Sequence, residues 1–201
     1  MTKCLIAVAF VFLLGNSGSA QTTQALNDTD ALNAINLLRT ELVDSFNKGD
    51  LDRLLSHLAP DVVITWQNGE VCRGPQQVRD YYQKMMTGPN KVVAAVSSNP
   101  QVTDRHIYGD WAVSWGVMND HFQLTDGSDL DMNSKFTATI ARSGAEWKVT
   151  SFHLSANAFD NSILRLAIRK ASIWVGCIVG VVALLVGIVL GRLSKPKPSA
   201  A

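Results

Sequence analysis

Cysteine is scarce in this chain, and what little there is lies scattered. Of the three cysteines, Cys4 lies in an N-terminal apolar run and Cys177 in a C-terminal one, so Cys72 stands alone between them. A lone cysteine excludes an internal disulfide there and a zinc site built on cysteine ligands. The chain also lacks a serine nucleophile-elbow motif and a glycine-rich phosphate-binding loop, so neither type of chemistry is indicated.

Acidic residues are missing from the last part of the chain. Residues 21–160 hold all 17 Asp and Glu against 11 Lys and Arg, a net charge of −6, whereas residues 161–201 hold six Lys and Arg and no acid. An acidic domain argues against nucleic-acid binding, which needs a basic surface. The basic C-terminal segment suits anionic headgroups, so membrane lipid is a predicted partner of that end of the chain.

An apolar run lies near the start of the chain. Lys3 is followed by apolar residues from Cys4 to Leu14 and by small polar residues that end in Gly18-Ser19-Ala20. A positive start, a short apolar core and small residues before the cleavage point are typical of a secretory signal peptide. We therefore predict a signal peptide over residues 1–20 and a new N-terminus at Gln21.

A second apolar run, residues 171–191, contains no charged residue. At helical rise it covers about 32 Å, enough to cross a hydrocarbon core of about 30 Å. Basic residues flank both ends equally, so the positive-inside rule gives no orientation, and the signal peptide decides it. We expect a single-pass membrane protein with the domain exported, to a bacterial periplasm or the cell exterior, and with the basic tail, residues 192–201, in the cytoplasm.

Between these runs the hydrophobic period changes from helical to alternating. Residues 21–29 are polar and are predicted to form a flexible lead, with Asp30 capping the first of three amphipathic helices. The predicted strands follow as Val62–Trp66, Val92–Ser97, Gln101–Tyr108, Trp111–Leu124, Met132–Arg142 and Trp147–Asn157. Helices first and a run of strands afterwards indicates an α+β domain over residues 30–160, with residues 161–170 as a helical stem before the membrane helix.

Several phrases of this domain resemble a known family. They are Asn47-Lys48-Gly49-Asp50-Leu51-Asp52, Leu58-Ala59-Pro60-Asp61-Val62, and the stretches 73–82, 109–116 and 147–160. In this order they resemble the SnoaL-like branch of the nuclear transport factor 2-like superfamily. The resemblance implies a cone in which a curved antiparallel sheet packs on N-terminal helices around an internal pocket. It also implies a homodimer formed through the sheet.

The same resemblance leaves the reaction open. Some such domains are cyclases or isomerases, and others bind ligands or act as association modules, so the fold does not decide whether this chain is an enzyme. Ketosteroid isomerases on this fold use a tyrosine and a carboxylate base, and the matching positions here are Leu42 and Trp66. Both chemical groups are missing, so that form of steroid isomerisation is not expected. No cofactor is implied.

The resemblance and the strand patterns predict the residues of the pocket. His153 follows Trp147 and Val149 by alternation on an unbulged last strand, so it is predicted to point inward as the acid or base. Asn119, Asp120 and His121 are further polar candidates, although Asp120 and His121 must point to opposite faces. His57 and the other histidines lie on different elements without metal-type spacing, so no metal is predicted. The predicted ligand-binding residues are Ile64, Trp66, Tyr82, Trp115, Phe136 and His153.

Two functional hypotheses follow. In the first, the tethered domain binds a small apolar ligand in its pocket, with or without His-assisted isomerase, cyclase or lyase chemistry. In the second, it is a non-catalytic dimerisation or partner-association module at the membrane. A roomy apolar cavity that contains His153 favours the first hypothesis. A filled interior, or His153 on the solvent side of the sheet, favours the second.

Overall fold

The computed structural model describes residues 17–193, which form helices packed on one side of a curved sheet, followed by a long C-terminal helix. The predictions for residues 1–16 and 194–201, most of the signal peptide and of the basic tail, lie outside the described residues. The N-terminal helices are α1 (Ser17–Lys48), α2 (Leu51–Ser56) and α3 (Gly74–Tyr82), and a π-helical turn (Gln83–Thr87) extends α3.

The strands of the described chain form one six-stranded mixed sheet with the order β2-β1-β6-β5-β4-β3. Neighbouring strands are antiparallel except β1 and β6, which are parallel. Bulges in β3 and β6 bend the sheet toward the helices. The predicted α+β cone is therefore confirmed. The strands are β1 (Leu58–Thr65), β2 (Val71–Arg73), β3 (Val93–Tyr108), β4 (Trp111–Leu124), β5 (Asp129–Ser143) and β6 (Glu146–Ser155).

Helix α1 is longer than the sequence pattern predicts. It begins at Ser17 instead of after Asp30, so residues 21–29 are helical and do not form the predicted flexible lead. No glycine or proline occurs between residues 19 and 48, so nothing in the backbone stops the helix where the apolar stripe stops. At its other end, Gly49 adopts a positive φ of 69°. Asp50 then caps α2 by accepting a bond from the Arg53 backbone N–H.

Strand β3 is continuous where the sequence predicts two strands. Pro100, which falls between the two predicted strands, lies within the observed strand opposite Met118. Proline cannot donate to a neighbouring strand, but β3 lies at the edge of the sheet, where one side needs no donor. The edge position therefore accommodates the proline.

The core lies between the helices and the inner face of the sheet. The largest of its fully buried apolar side chains are Ile35 on α1, Val62 on β1 and Val78 on α3, each at most 2% exposed. At these positions one apolar stripe from each helix meets the alternating face of the strands, as the periodicity predicts.

The C-terminal helix α4 (Ser162–Leu193) begins beside the β4–β5 turn. The Ser162 hydroxyl donates to the backbone carbonyl of Asp131, and Lys170 forms an ion pair with Asp126 of the turn. That ion pair, with bonds from Ser128, lowers the pKa of Asp126 to about 2. The most apolar 18-residue stretch within Ser162–Arg192 has a mean hydropathy of 2.9, and none of that stretch is buried against the domain. By length and composition α4 could span a membrane.

Candidate functional site

An internal cavity of about 250 Å³ lies between the helices and the inner face of the sheet. Its lining comes from α1, α2, α3 and the sheet, and it is predominantly aliphatic and aromatic. Ligand pockets usually start near 300 Å³ and are lined in this way, so the cavity suits a small apolar molecule. Four of the predicted ligand-binding residues line it: Ile64, Trp66, Tyr82 and Phe136.

Aromatic rings build one wall of the cavity. Trp66 stacks on Tyr81 with ring centroids 4.7 Å apart and planes 8° apart. The indole N–H of Trp66 donates to the Cys72 thiol over 3.2 Å, which fixes the ring and satisfies its polar atom. Burial raises the pKa of Tyr81 to about 12, so its hydroxyl stays protonated at neutral pH. Phe136 stacks on Phe152 at 5.8 Å, and Trp66 packs against the same cluster.

The predicted placement of His153 is wrong. Ile140 on β5 pairs with Val149 on β6, but the preceding Thr139 pairs with Ser151, so β6 carries one extra residue at that point. An extra residue reverses the alternation of side chains. Val149 therefore faces inward as predicted, but beyond the bulge Phe152 and Leu154 line the cavity, and His153 is exposed on the outer face.

The predicted placement of Trp115 is also wrong, because the opposite face of β4 points inward. The inward positions of β4 are Ala112, Ser114, Gly116, Met118, Asp120 and Phe122, so the tryptophans of this strand face outward. Trp115 contacts His106 on the outer face, with ring centroids 5.1 Å apart. His121 also lies outside, where its Nδ1 is 2.7 Å from Oδ1 of Asp131. The first three inward residues, Ala112, Ser114 and Gly116, are small, and Gly116 lies close to the β3 backbone and the Phe136 ring.

Asp120 is the acidic group of the cavity, and it is only 5% exposed. The Ser98 hydroxyl donates to one of its carboxylate oxygens over 2.5 Å, and the Gln67 side-chain amide donates to the other over 3.2 Å. Among the described residues no basic group lies within ion-pair distance of it. Burial therefore raises the pKa of Asp120, and the two hydrogen bonds only partly oppose that rise.

Arg105 provides a positive group farther along the same lining. Its Nε donates to the buried Ser114 hydroxyl over 2.7 Å and its Nη1 donates to the Asn36 side-chain oxygen over 3.0 Å. Burial, together with the charge of nearby Arg39, lowers the pKa of Arg105. Arg39 also lines the cavity, on the exposed side of α1.

The arrangement supports proton transfer and anion binding. A buried carboxyl with a raised pKa holds a proton more readily than an exposed aspartate, which suits a general acid or base. Leu42 and Trp66 line the cavity as well, so the tyrosine and carboxylate of ketosteroid isomerases are absent from those positions. Within residues 17–193, no three His, Cys, Asp or Glu side chains form a group that could hold a metal ion.

Sequence reasoning named Asp120 among the polar candidates of the pocket but gave it no role, and it did not name Arg105. Asp120 was a candidate by type, but its strand was assigned to the wrong face because aromatic residues were expected inside. Residue size carries the missed signal. In a strand that alternates small with large residues, the face with the small residues can pack closely against a neighbour or line a cavity. Here Ala112, Ser114 and Gly116 share that face with Asp120.

Comparison with known proteins supports the same fold. The model of the SnoaL-like domain family matches residues 35–159. No curated protein matches this sequence. A type 3 hexachlorocyclohexane dehydrochlorinase from Novosphingobium barchaimii has a similar structure, with 17% identity, a TM-score of 0.57, and coverage of 68% of this chain and 93% of that one.

A ketosteroid isomerase-like protein from Erwinia carotovora atroseptica is also similar. It shares 13% identity, with a TM-score of 0.54 over 63% of this chain and 96% of that one. At these identities the likeness extends to the fold alone, while the family match spans most of the described domain. The chain therefore belongs to the SnoaL-like domain family, within the nuclear transport factor 2-like fold.

Proposed function

We propose that this domain binds a small apolar molecule in its internal cavity and that Asp120 exchanges a proton with that molecule. The observation that carries the proposal is a carboxyl group buried in an apolar cavity and held by neutral donors, with no cation beside it among the described residues. Burying such a group without a cation costs free energy, so a purely structural role would favour an apolar residue here.

The reaction we propose is an isomerisation or elimination. The similar structures include a dehydrochlorinase and a ketosteroid isomerase-like protein, names that describe the movement of protons on a carbon skeleton. In an isomerisation, ionised Asp120 would accept a proton from one carbon of the ligand and return it to another as the double bond moves. In an elimination it would accept the proton while the C–H electron pair forms a double bond and the group on the adjacent carbon leaves with its bonding electrons. The bonds from Ser98 and Gln67 hold the carboxyl in one orientation and stabilise its charge, while the apolar lining excludes water.

His153 does not take part in this proposal. Its place on the outer face removes the His-assisted chemistry and, on the criterion given with the hypotheses, favours the association module. The cavity nevertheless exists and holds a different titratable group, so we retain the ligand-binding hypothesis with Asp120 in the role first given to the histidine.

The test begins with the ligand. Native mass spectrometry of the full chain, purified in lipid nanodiscs from its own host, should reveal a retained small molecule. That molecule, incubated with the protein in deuterium oxide, should gain deuterium or change into a product. Asp120→Asn should still bind it and should lose at least 100-fold in exchange rate, because general acid–base groups contribute about 10²–10⁴-fold.

The matched control is Asp61→Asn, which makes the same change at an exposed carboxyl outside the cavity. It should leave both binding and exchange unchanged. Exchange at the wild-type rate in Asp120→Asn would refute the role of Asp120. A protein that retains no molecule and binds none of a set of small apolar probes would refute the ligand-binding function.

A second candidate function rests on the outer face of the sheet. Tyr108 and Trp111 are 52% and 45% exposed there, and their rings stack at 4.4 Å beside the edge of β4. A pair of exposed aromatic residues on a sheet face is typical of a protein interface. We propose that a second copy of this chain covers this face, as the resemblance also implied.

Dimerisation is tested in the full chain. Light scattering of the nanodisc-embedded protein should report two copies, and Trp111→Glu should reduce this to one without unfolding the domain. Gln83→Glu serves as the control because it places the same charge at an exposed position on the π-helical turn, away from the outer face of the sheet. A monomeric wild-type chain would refute the interface.

The membrane arrangement is also a proposal. We propose that α4 crosses the bilayer in contact with lipid, that the domain lies outside the cytoplasm after cleavage following Ala20, and that the basic tail lies inside. The uncharged run 171–191 within α4 supports the crossing. N-terminal sequencing should return Gln21, and a reporter fused after Ala201 should be active only in the cytoplasm. Met1 at the N-terminus, or an extracytoplasmic reporter, would overturn the arrangement.

A further inference from the structure

The charges on the cavity lining are unbalanced. Among the described lining residues the charged side chains are Arg39, Arg105 and Asp120. Ser114, which holds Arg105, and Asp120 are six positions apart on β4, which corresponds to roughly 20 Å of extended strand. Arg105 and the carboxyl therefore occupy separate regions of the lining, and neither Arg105 nor Arg39 forms an ion pair with Asp120 among the described residues.

Arg105 has no acidic partner of its own. The described hydrogen bonds of its side chain go to neutral oxygens of Ser114 and Asn36, while its backbone N–H donates to the Asp104 carboxylate. No carboxylate of the described residues lies within 4.0 Å of its guanidinium or of Arg39. Charged groups that are partly withdrawn from water normally have a counter-ion. Here two positive groups line one cavity and the chain supplies no anion to them.

We infer that the ligand of this cavity carries an anionic group, a carboxylate or comparable oxyanion, on an apolar body, and that Arg105 binds this group with Arg39 beside it. The inference rests on the proposed ligand-binding function and adds the chemical class of the ligand. The guanidinium is a planar fork of donors that matches a carboxylate, and Nη2 of Arg105 has no described partner. The aliphatic and aromatic lining then takes the apolar body.

The bond from Ser114 gives the site its geometry. Ser114 is 3% exposed and lies on the rigid inner face of β4, so its hydroxyl fixes Nε of Arg105 in position. Asn36 on α1 fixes Nη1 from the opposite side. A guanidinium held from both the sheet and a helix loses little further conformational entropy on binding an anion, which favours affinity.

The test compares octanoate with octanamide, which has the same shape and no charge. Both are titrated calorimetrically into the full chain in lipid nanodiscs, with empty nanodiscs as the blank. We expect octanoate to bind about 10–100-fold more tightly than octanamide, because a hydrogen bond to a charged group is worth about 1.5–3 kcal/mol. Acetate, which has the charge without the apolar body, should bind far more weakly than octanoate.

Variants assign the effect to the cations. Arg105→Met should remove the preference for octanoate over octanamide, and Arg39→Met should reduce it several-fold. The control is Arg73→Met, which removes one exposed positive charge outside the cavity and should change neither affinity. If Arg105→Met fails to fold, Arg39→Met decides the question, since Arg39 is exposed and has no described bond from its side chain.

The outcomes separate this inference from the function on which it rests. Equal affinity for octanoate and octanamide, or an Arg39→Met variant with the full preference, overturns the anion site and leaves the apolar cavity. If acetate binds as tightly as octanoate, the inference that the ligand has an apolar body is refuted. Failure of both octanoate and octanamide to bind overturns the anionic ligand and counts against the proposed function as well.

Discussion

Gly116→Ala should destabilise the domain strongly, because β4 has no room for a side chain at that position. A Cβ atom on Gly116 would lie 2.0 Å from the backbone carbonyl oxygen of Gln101 and 3.0 Å from the Phe136 ring. The first contact is with the backbone of the neighbouring strand, so rotation of a side chain cannot relieve it. Strand β3 bulges at this place, where Val102 and Asp104 pair with Gly116 and Trp115.

The expected magnitude follows from what must move. Overpacking in a well-ordered interior costs about 1–3 kcal/mol. Separation of β3 from β4 at Gly116 would also weaken a backbone hydrogen bond, worth about 1 kcal/mol. We therefore expect a loss of about 3 kcal/mol, a large part of a typical stability of about 5–15 kcal/mol. For a domain of this size the melting temperature should fall by roughly 10 °C.

The assay is thermal and urea unfolding of the full chain in detergent, followed by tryptophan fluorescence. Gly127→Ala and Gly180→Ala are the matched controls. Gly127 has open space but a φ of +79°, so alanine there should cost about 1–2 kcal/mol from backbone strain alone. Gly180 has open space in a helix and should show no loss. If Gly116→Ala unfolded at the wild-type temperature, or above Gly127→Ala, the close approach of β3 and β4 would be wrong.

Three further predictions follow from the titratable groups. Because burial raises the pKa of Asp120, the folded state binds a proton more tightly than the unfolded state, and its stability falls as pH rises through the folded pKa. Asp120→Asn should therefore be more stable than wild type at neutral pH, by about 1.4 kcal/mol per unit of raised pKa, and should lose that advantage below pH 3.8. Urea unfolding at several pH values would measure this difference. The pKa of Asp126 is lowered, so its ion pair with Lys170 persists above pH 3.8 and is lost as pH falls toward 2. In Lys170→Gln, the pKa of Asp126 measured by nuclear magnetic resonance should move up from about 2 toward 3.8. An unchanged pKa would disprove the contact. His153→Ala should leave binding of cavity ligands unchanged, since the imidazole is exposed on the outer face, and a loss of calorimetric affinity would return it to the site.

The sequence predicts the architecture well because the order of helices and strands follows from hydrophobic periodicity and from the glycines and prolines that begin or end them. The apolar stripes of α1 and α3, the glycine at the end of α1, and the proline that opens α3 all act locally, and each occurs where the sequence places it. The start of α1 was missed because polar residues form a helix as readily as apolar ones when no glycine or proline interrupts them. An apolar stripe marks where a helix is buried, which is shorter than the helix itself.

The candidate site was predicted less well, because it depends on which face of the sheet each strand residue points to. A bulge elsewhere in the strand can reverse that alternation, so the sequence around a residue does not decide it. A single extra residue in β6 moves His153 to the outside, and no glycine or proline marks that bulge in the sequence. On β4 the aromatic residues were expected in the core, but the close approach of β3 at Gly116 and the cavity leave no space for them. Ile64, Trp66 and Phe136, whose strands keep their phase, lie where they were expected.

The distance between the two charged regions of the cavity decides whether they can be studied separately. Ser114, which accepts the Arg105 bond, and Asp120 are six positions apart on β4, roughly 20 Å along the strand. Charges at that separation, in an effective dielectric constant of about 20, interact by less than about 1 kcal/mol. This is well below the 1.5–3 kcal/mol expected from a hydrogen bond between Arg105 and the anion. Loss of the preference for octanoate in Arg105→Met therefore could not arise through Asp120. Likewise, loss of proton exchange in Asp120→Asn could not arise from weaker anion binding, so the two proposals stand or fall on different residues.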